Sequence, residues 1–186
     1  RTVEGIVTAY AQASDSALAD WIGTHVAFPC AMVDRIVPAT TDADIAEAGR
    51  LLGVADAAPV ATEPYNSWVI ENRFLTARPL WENAGAQIVA DVAPFETMKL
   101  RLLNGSHSTL AYLGFLAGYE FIWQASADPL LATLVERLMA EEVMPTLVAP
   151  PGVDLRAYGA QLILRFRNPA LPHRTQQIAM DGAQKL

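Results

Sequence analysis

Residues 96 to 107, E-T-M-K-L-R-L-L-N-G-S-H, place a carboxylate, an amine, an amide and an imidazole within a few turns of an otherwise apolar stretch. At 100° per residue, Glu96, Lys99, Asn104 and His107 fall within an arc of roughly 140°. Axial rises of ~7.5 Å from Lys99 to Asn104 and ~12 Å to His107 suit a ligand several carbons long. Gly105, Ser106 and Ser108 keep the surface low, so that a ligand can approach the backbone. A lysine held out of water can act as a base near neutral pH, and a neighbouring amide N–H can hold a developing oxyanion. The imidazole can hold a hydroxyl in place, and Glu96, one turn before Lys99, is positioned to pass a proton on to water. Together these groups describe proton transfer beside a polarised oxygen. The same spacing also fits a plainer reading, in which the lysine snorkels to solvent while the amide and imidazole cap or pack. Spacing alone leaves both open.

These residues need a helix to carry them. Pro94 fits a first helical turn, where its missing N–H costs nothing, and predicts a helix from there to about Gly118. Apolar periodicity predicts further helices over 2–13, 16–24, 128–144, 153–167 and 174–180. Another is expected over 42–52, with Thr41 and Asp44 forming a capping box and Gly53 just past its end. Residues 25–29 (HVAFP), 67–72 (SWVIEN) and 86–91 (AQIVAD) read as strands, the last two pairing across a turn-rich segment. Residues 54–66, with two prolines and small residues, read as a linker or boundary.

Composition narrows the partners. With 52% hydrophobic and 18% charged residues, the 186-residue chain can bury a core, and its net charge of -7 argues against nucleic acid or an anionic membrane. The most apolar stretch, Leu110 to Trp123, is interrupted by Gly114, Gly118 and Glu120 and falls short of a membrane span. The single cysteine, Cys30, forms no internal disulfide and reads as a buried thiol in a reducing cytoplasm. Arg1 leads straight into a helical pattern and Leu186 follows "MDGAQK" abruptly, so the chain reads as a piece of a longer protein.

The central stretch resembles the K-x4-N-x2-H pattern of the polyol-specific long-chain dehydrogenases, here Lys99, Asn104 and His107. The resemblance extends to "FPCAMVDRIVPATT" (28–41), "WVIENRF" (68–74), "LAGY" (116–119), "RFRNP" (165–169) and "HRTQQIAMDGAQK" (173–185). It implies Lys99 as general base in alcohol oxidation and general acid in reverse. It also implies Asn104 in the oxyanion hole, His107 on a substrate hydroxyl, Glu96 on a water path and Lys185 as a substrate-site lysine. Hydride would pass between the nicotinamide of NAD (or NADP) and a carbon of an open-chain sugar derivative, without a metal. The implied fold is mainly α: residues 1–60 as the tail of an α/β Rossmann domain, and 65–186 as a helical substrate domain of the 6-phosphogluconate-dehydrogenase-like type. The G-x-G-x-x-G dinucleotide fingerprint does not occur in these residues, so cofactor-binding positions stay unassigned and the chain alone is expected to bind NAD poorly.

Within the family, "HRTQQIAMDG" looks more like the fructuronate reductase branch. The polyol-oxidising branch carries an Asp and, four residues on, an Arg, where this chain has His173 and Gln177. A hexuronate brings a carboxylate that Arg174 could bind bidentately, with Arg165 and Arg167 as runners-up and His173 also on the substrate. The preferred reaction interconverts fructuronate and mannonate. A mannitol or arabinitol dehydrogenase is the alternative, and a non-catalytic helical binding domain the alternative of another class.

Overall fold

The computed structural model describes residues 1–180, in two compact units. One comprises residues 1–34 and 67–95; the other comprises 35–66 together with everything from 96 onward. The units thus interleave along the sequence.

In the first unit, α1 (Thr2–Ser14) and α2 (Ser16–His25) pack as a helical hairpin over Ala11, Ala19 and Ile22. Asp15 turns the chain between them: its backbone is extended (φ -159°) and its carboxylate accepts the N–H groups of Ala17 and Leu18. Three strands follow in the order β1 (Ala31–Asp34), β2 (Ser67–Glu71), β3 (Gln87–Val89). β1 and β2 are antiparallel, with Met32 opposite Val69; β2 and β3 are parallel, with Ile70 opposite Ile88. The strand expected at 25–29 lies instead at 31–34. His25 still belongs to α2, its ring stacked on Trp21 at 5.0 Å. Pro29 has no N–H for a ladder, so pairing starts beyond it. Cys30 is half-buried rather than fully enclosed. Arg78 lies over Phe74 and Trp81 and pairs with Glu82, whose carboxyl these hydrogen bonds hold down at about 2.

The second unit opens on α3 (Asp42–Leu52), capped as expected by the reciprocal Thr41–Asp44 box and closed by Gly53 in the left-handed region (φ 71°). Its body is helical: α4 (Ala93–Met98), which begins in the first unit's span, α5 (Gly105–Leu116), α6 (Ile122–Ala127), α7 (Pro129–Arg137), α8 (Leu155–Phe166) and α9 (Thr175–Ala179). The short α6 escaped the sequence reading. Wider π-turns occupy Lys99–Asn104, between α4 and α5, and Leu138–Val143, after α7. The core is built on Leu102, Leu110, Ala125, Val135, Leu162 and Phe166. α5 and α6 touch closely at Gly114, where a Cβ would come within 2.7 Å of the Ala125 Cβ.

The segment 35–66 joins this helical body through a buried ion pair. Glu63 and Arg165, 2% and 5% exposed at their side chains, meet through two hydrogen bonds of 2.9 and 2.7 Å. Arg35 donates twice to the Glu63 carbonyl, and the Tyr65 ring lies 4.0 Å from the Arg165 guanidinium. Arg165 therefore serves the interior of the protein. Among the described residues no helix is long and apolar enough to cross a membrane, and no group of three or more His, Cys, Asp or Glu residues could hold a metal ion.

Candidate active site

The polar residues of the 96–107 stretch all lie in the second unit, carried by α4, the π-turn and the first turn of α5. The π-turn spans the interval from Lys99 to Asn104, and the Gly105 N–H reaches back to the carbonyl of Leu100, five residues earlier. This changes the geometry drawn from a regular helix. A π-turn advances only about 82° per residue, so five steps leave Asn104 roughly 50° from Lys99 instead of ~140°. Three ordinary steps then bring His107 to within about 10° of Lys99, while Glu96 lies about 60° to one side. The arc occupied by the four residues narrows from ~140° to roughly 70°. The widened turn thus gathers the amine, the amide and the imidazole onto one strip of surface.

Burial is graded along that strip. Glu96 is exposed, Lys99 and Asn104 are half-buried, and His107 is buried at 7% exposure. An exposed carboxylate one turn from a half-buried amine suits a group that passes protons to solvent. On either side of His107, the hydroxyls of Ser106 and Ser108 are buried and make no hydrogen bond.

His107 is held between two rings. The Phe166 ring of α8 lies parallel to the imidazole, at 5.1 Å and 6°. The His173 ring approaches edge-on, at 5.0 Å and 65°. His173 reaches this position because the segment around α9 is tied down: Thr175 Oγ1 donates to the carbonyls of Tyr119 and Glu120, Ile122 N–H donates to the His173 carbonyl, and Tyr112 OH donates to the Ala179 carbonyl. Of the expected substrate residues, His173 adjoins His107. Arg174 pairs with Glu120 at 2.9 Å, with both side chains more than half exposed, beside a small recess lined by Phe115, Tyr119 and Gln176. No described contact joins Arg174 to Lys99, Asn104 or His107. Arg167 lies near Glu136 and the Ser126 carbonyl. Lys185 lies outside the described residues.

Two larger recesses among the described residues lie elsewhere. One of about 580 Å³ is lined by Leu100, Arg101, Gly105 and Thr109 together with residues of the second π-turn. Another, of about 390 Å³, lies between α8 and the segment after α7, around Met139, Met144 and Ile163. Neither lining includes the polar strip, so its chemistry rests on the residues themselves. Sequence reasoning gave no role to Phe166 and did not find the π-turn; the match at "RFRNP" had drawn attention to Phe166's neighbourhood without showing what its ring meets.

The chain is similar to known proteins along its whole length. Residues 2–83 match the family described as mannitol dehydrogenase Rossmann domain, and residues 91–186 match the mannitol dehydrogenase C-terminal domain. A D-mannonate oxidoreductase of Escherichia coli is 56% identical over 180 residues, covering 97% of this chain and 37% of that protein. A mannitol dehydrogenase of Saccharomyces cerevisiae is 42% identical over 186 residues, again 37% of its length. Among solved structures, the Pseudomonas fluorescens mannitol 2-dehydrogenase ternary complex with NAD and D-mannitol superposes with a TM-score of 0.82 at 42% identity, over 94% of this chain and 36% of that one. The chain therefore spans little more than a third of the length of these relatives. With both family domains matched and identities of 42% to 56% across nearly every residue, this chain belongs to the mannitol dehydrogenase family.

Proposed function

We propose that this chain carries the proton-transfer and substrate-binding groups of a cytoplasmic, metal-independent NAD-linked oxidoreductase that interconverts a ketone-bearing hexuronate, such as fructuronate, and the matching sugar acid, such as mannonate. What supports the reading is the set Lys99, Asn104 and His107, intact in type, with a π-turn over Lys99–Asn104 that by ideal geometry turns the three positions to one side of the helix. The bound nicotinamide would supply the hydride acceptor; its binding residues are not assigned within these 186 residues. Lys99 takes the hydroxyl proton as the alcohol is oxidised and returns it in the reverse direction. Asn104 steadies the oxygen that gains negative charge, and Glu96, exposed one turn away, relays the proton to water. His107 holds a neighbouring substrate hydroxyl.

The 56% identity to a D-mannonate oxidoreductase favours a sugar acid over a neutral polyol. His173, beside His107, and Lys185 serve the substrate's carboxylate end. Arg174 can join them only by leaving Glu120, an exposed pair that costs little to open. A second reading, oxidation of mannitol, draws on the solved relative that holds D-mannitol.

The test is kinetic, on the complete protein that carries this sequence. Mannonate should be oxidised with a higher kcat/KM than mannitol, and Lys99→Ala should lower turnover by roughly a hundred- to ten-thousand-fold with the fold kept. Higher efficiency on mannitol reverses the substrate choice. A folded Lys99→Ala protein with nearly full activity refutes the role of the lysine and favours a non-catalytic module.

A further inference from the structure

We propose that Phe166 is a positioning residue for the reaction, acting through His107: its ring fixes the plane of the imidazole and so directs the hydrogen-bonding nitrogen towards the substrate hydroxyl. The inference rests on the functional reading above, since it needs His107 to touch substrate.

An imidazole bonds through nitrogens that lie in its ring plane, so turning that plane moves the donor and acceptor directions with it. In this structure the plane has little freedom. Phe166 stacks parallel to His107, with ring centroids 5.1 Å apart and planes 6° from parallel. The His173 ring closes another side edge-on at 5.0 Å. Both His107 and Phe166 are buried, at 7% and 2% exposure, so the imidazole cannot turn about its Cβ–Cγ bond without displacing a packed ring.

Phe166 is itself held firmly. Its neighbour on α8, Arg165, forms the buried two-bond pair with Glu63 and lies against the Tyr65 ring at 4.0 Å. On its other side, the Arg167 N–H bonds back to the Ile163 carbonyl and closes the last turn of the helix. The ring that sets the imidazole plane therefore stands on a backbone fixed on both sides. A leucine could fill most of the same volume, but it has no flat face to hold another ring parallel.

The wild-type complete protein gives the first readout. With its histidines labelled at Cε1 and Cδ2, at least one His107 ring proton, assigned with a His107→Gln variant, should resonate upfield of exposed histidines, because the imidazole stacks parallel on the Phe166 ring. Resonances at exposed-histidine positions overturn the stacking and the proposal with it. Phe166→Leu should abolish the upfield shift and lower kcat/KM for the preferred substrate by roughly three- to tenfold, mainly through KM, while Phe166→Tyr should keep both near wild type. In a His107→Ala background the same Phe166→Leu change should cost less than about twofold. If the two losses instead multiply, Phe166 does not act through His107 and the proposal fails. Should Phe166→Leu not fold, Phe166→Met takes its place in the cycle. A complete protein that oxidises neither sugar acids nor polyols defeats the functional reading instead, and leaves the ring-shift result to be judged separately.

Discussion

Deleting Leu100 tests whether the π-turn sets the register of the proposed catalytic strip. In a regular helix, loss of one residue turns everything beyond it by about 100° and would scatter the strip. A π-turn holds one residue more than an α-turn needs, so its removal should let the segment close into ordinary helix with both flanks in place. Five π steps leave Asn104 roughly 50° from Lys99 with a rise of about 6 Å; four α steps give about 40° and 6 Å. The deletion should therefore move the amide by about 10° of arc relative to the amine. Leu100 is 48% exposed and its successor Arg101 is exposed too, so the deletion exchanges one outward-facing side chain for another. The lost burial is on the order of 1 kcal/mol, partly offset by tighter backbone hydrogen bonding. In the complete protein, circular dichroism should show native helix content, Tm should fall by no more than a few degrees, and kcat/KM should stay within about tenfold of wild type. A protein that folds normally yet loses activity as completely as Lys99→Ala would refute the reasoning: the extra residue, and not the register it preserves, would then be what the chemistry requires.

Three further outcomes follow from the packing and charge. Glu63→Gln removes the carboxylate from the buried pair with Arg165 and should cost about 3–5 kcal/mol in urea unfolding, whereas Arg137→Gln, which breaks an exposed i,i+4 pair with Glu141, should cost under about 1 kcal/mol. The Glu82 carboxyl, lowered from 4.5 to about 2 chiefly by its hydrogen bonds from Arg78, contributes stability that is complete above pH 4.5 and lost as the pH falls towards 2. Tryptophan fluorescence from the adjacent Trp81 should report that loss, and a Glu82→Gln protein with an unchanged acid titration would disprove it. Ser108→Ala removes a buried hydroxyl that has no hydrogen-bond partner and should raise stability by about 0.5–2 kcal/mol; a fall in stability would show that the hydroxyl is satisfied.

What the sequence revealed, and what it hid, divides by range. The Thr41–Asp44 box and the end of α3 at Gly53 are each written in a few neighbouring residues, and both were legible. The chemistry-bearing residues were legible by type, because an amine, an amide and an imidazole on an apolar helix are conspicuous in any conformation. Their alignment was not. Nothing in K-L-R-L-L-N distinguishes a π-turn from an α-turn; Leu102 and Leu103 are both buried in the core, against partners the local string does not specify. The partners of Arg165 and Arg174 were equally hidden. Glu63 lies 102 residues from Arg165 and Glu120 lies 54 from Arg174, and no local pattern says which acid will face which arginine.

That hidden pairing bears on how a sugar acid would be told from a neutral polyol. From sequence, Arg174 is the first choice to grip a carboxylate, with Arg165 and Arg167 as runners-up. In the structure Arg165 neutralises Glu63 inside the protein, Arg167 lies near Glu136, and Arg174 is matched with Glu120 at the surface. An arginine already facing a carboxylate of the protein gains from a ligand only the difference between two similar pairs, and at an exposed site that difference is small. His173 stands beside His107 in a partly buried setting, where a hydrogen bond to an incoming carboxylate is worth more than at the surface. Discrimination for the acid group should therefore respond more strongly to His173→Asn than to Arg174→Gln, measured as the ratio of mannonate to mannitol kcat/KM in the complete protein. A larger loss at Arg174 would mean that substrate displaces Glu120, and would return the carboxylate to the arginine.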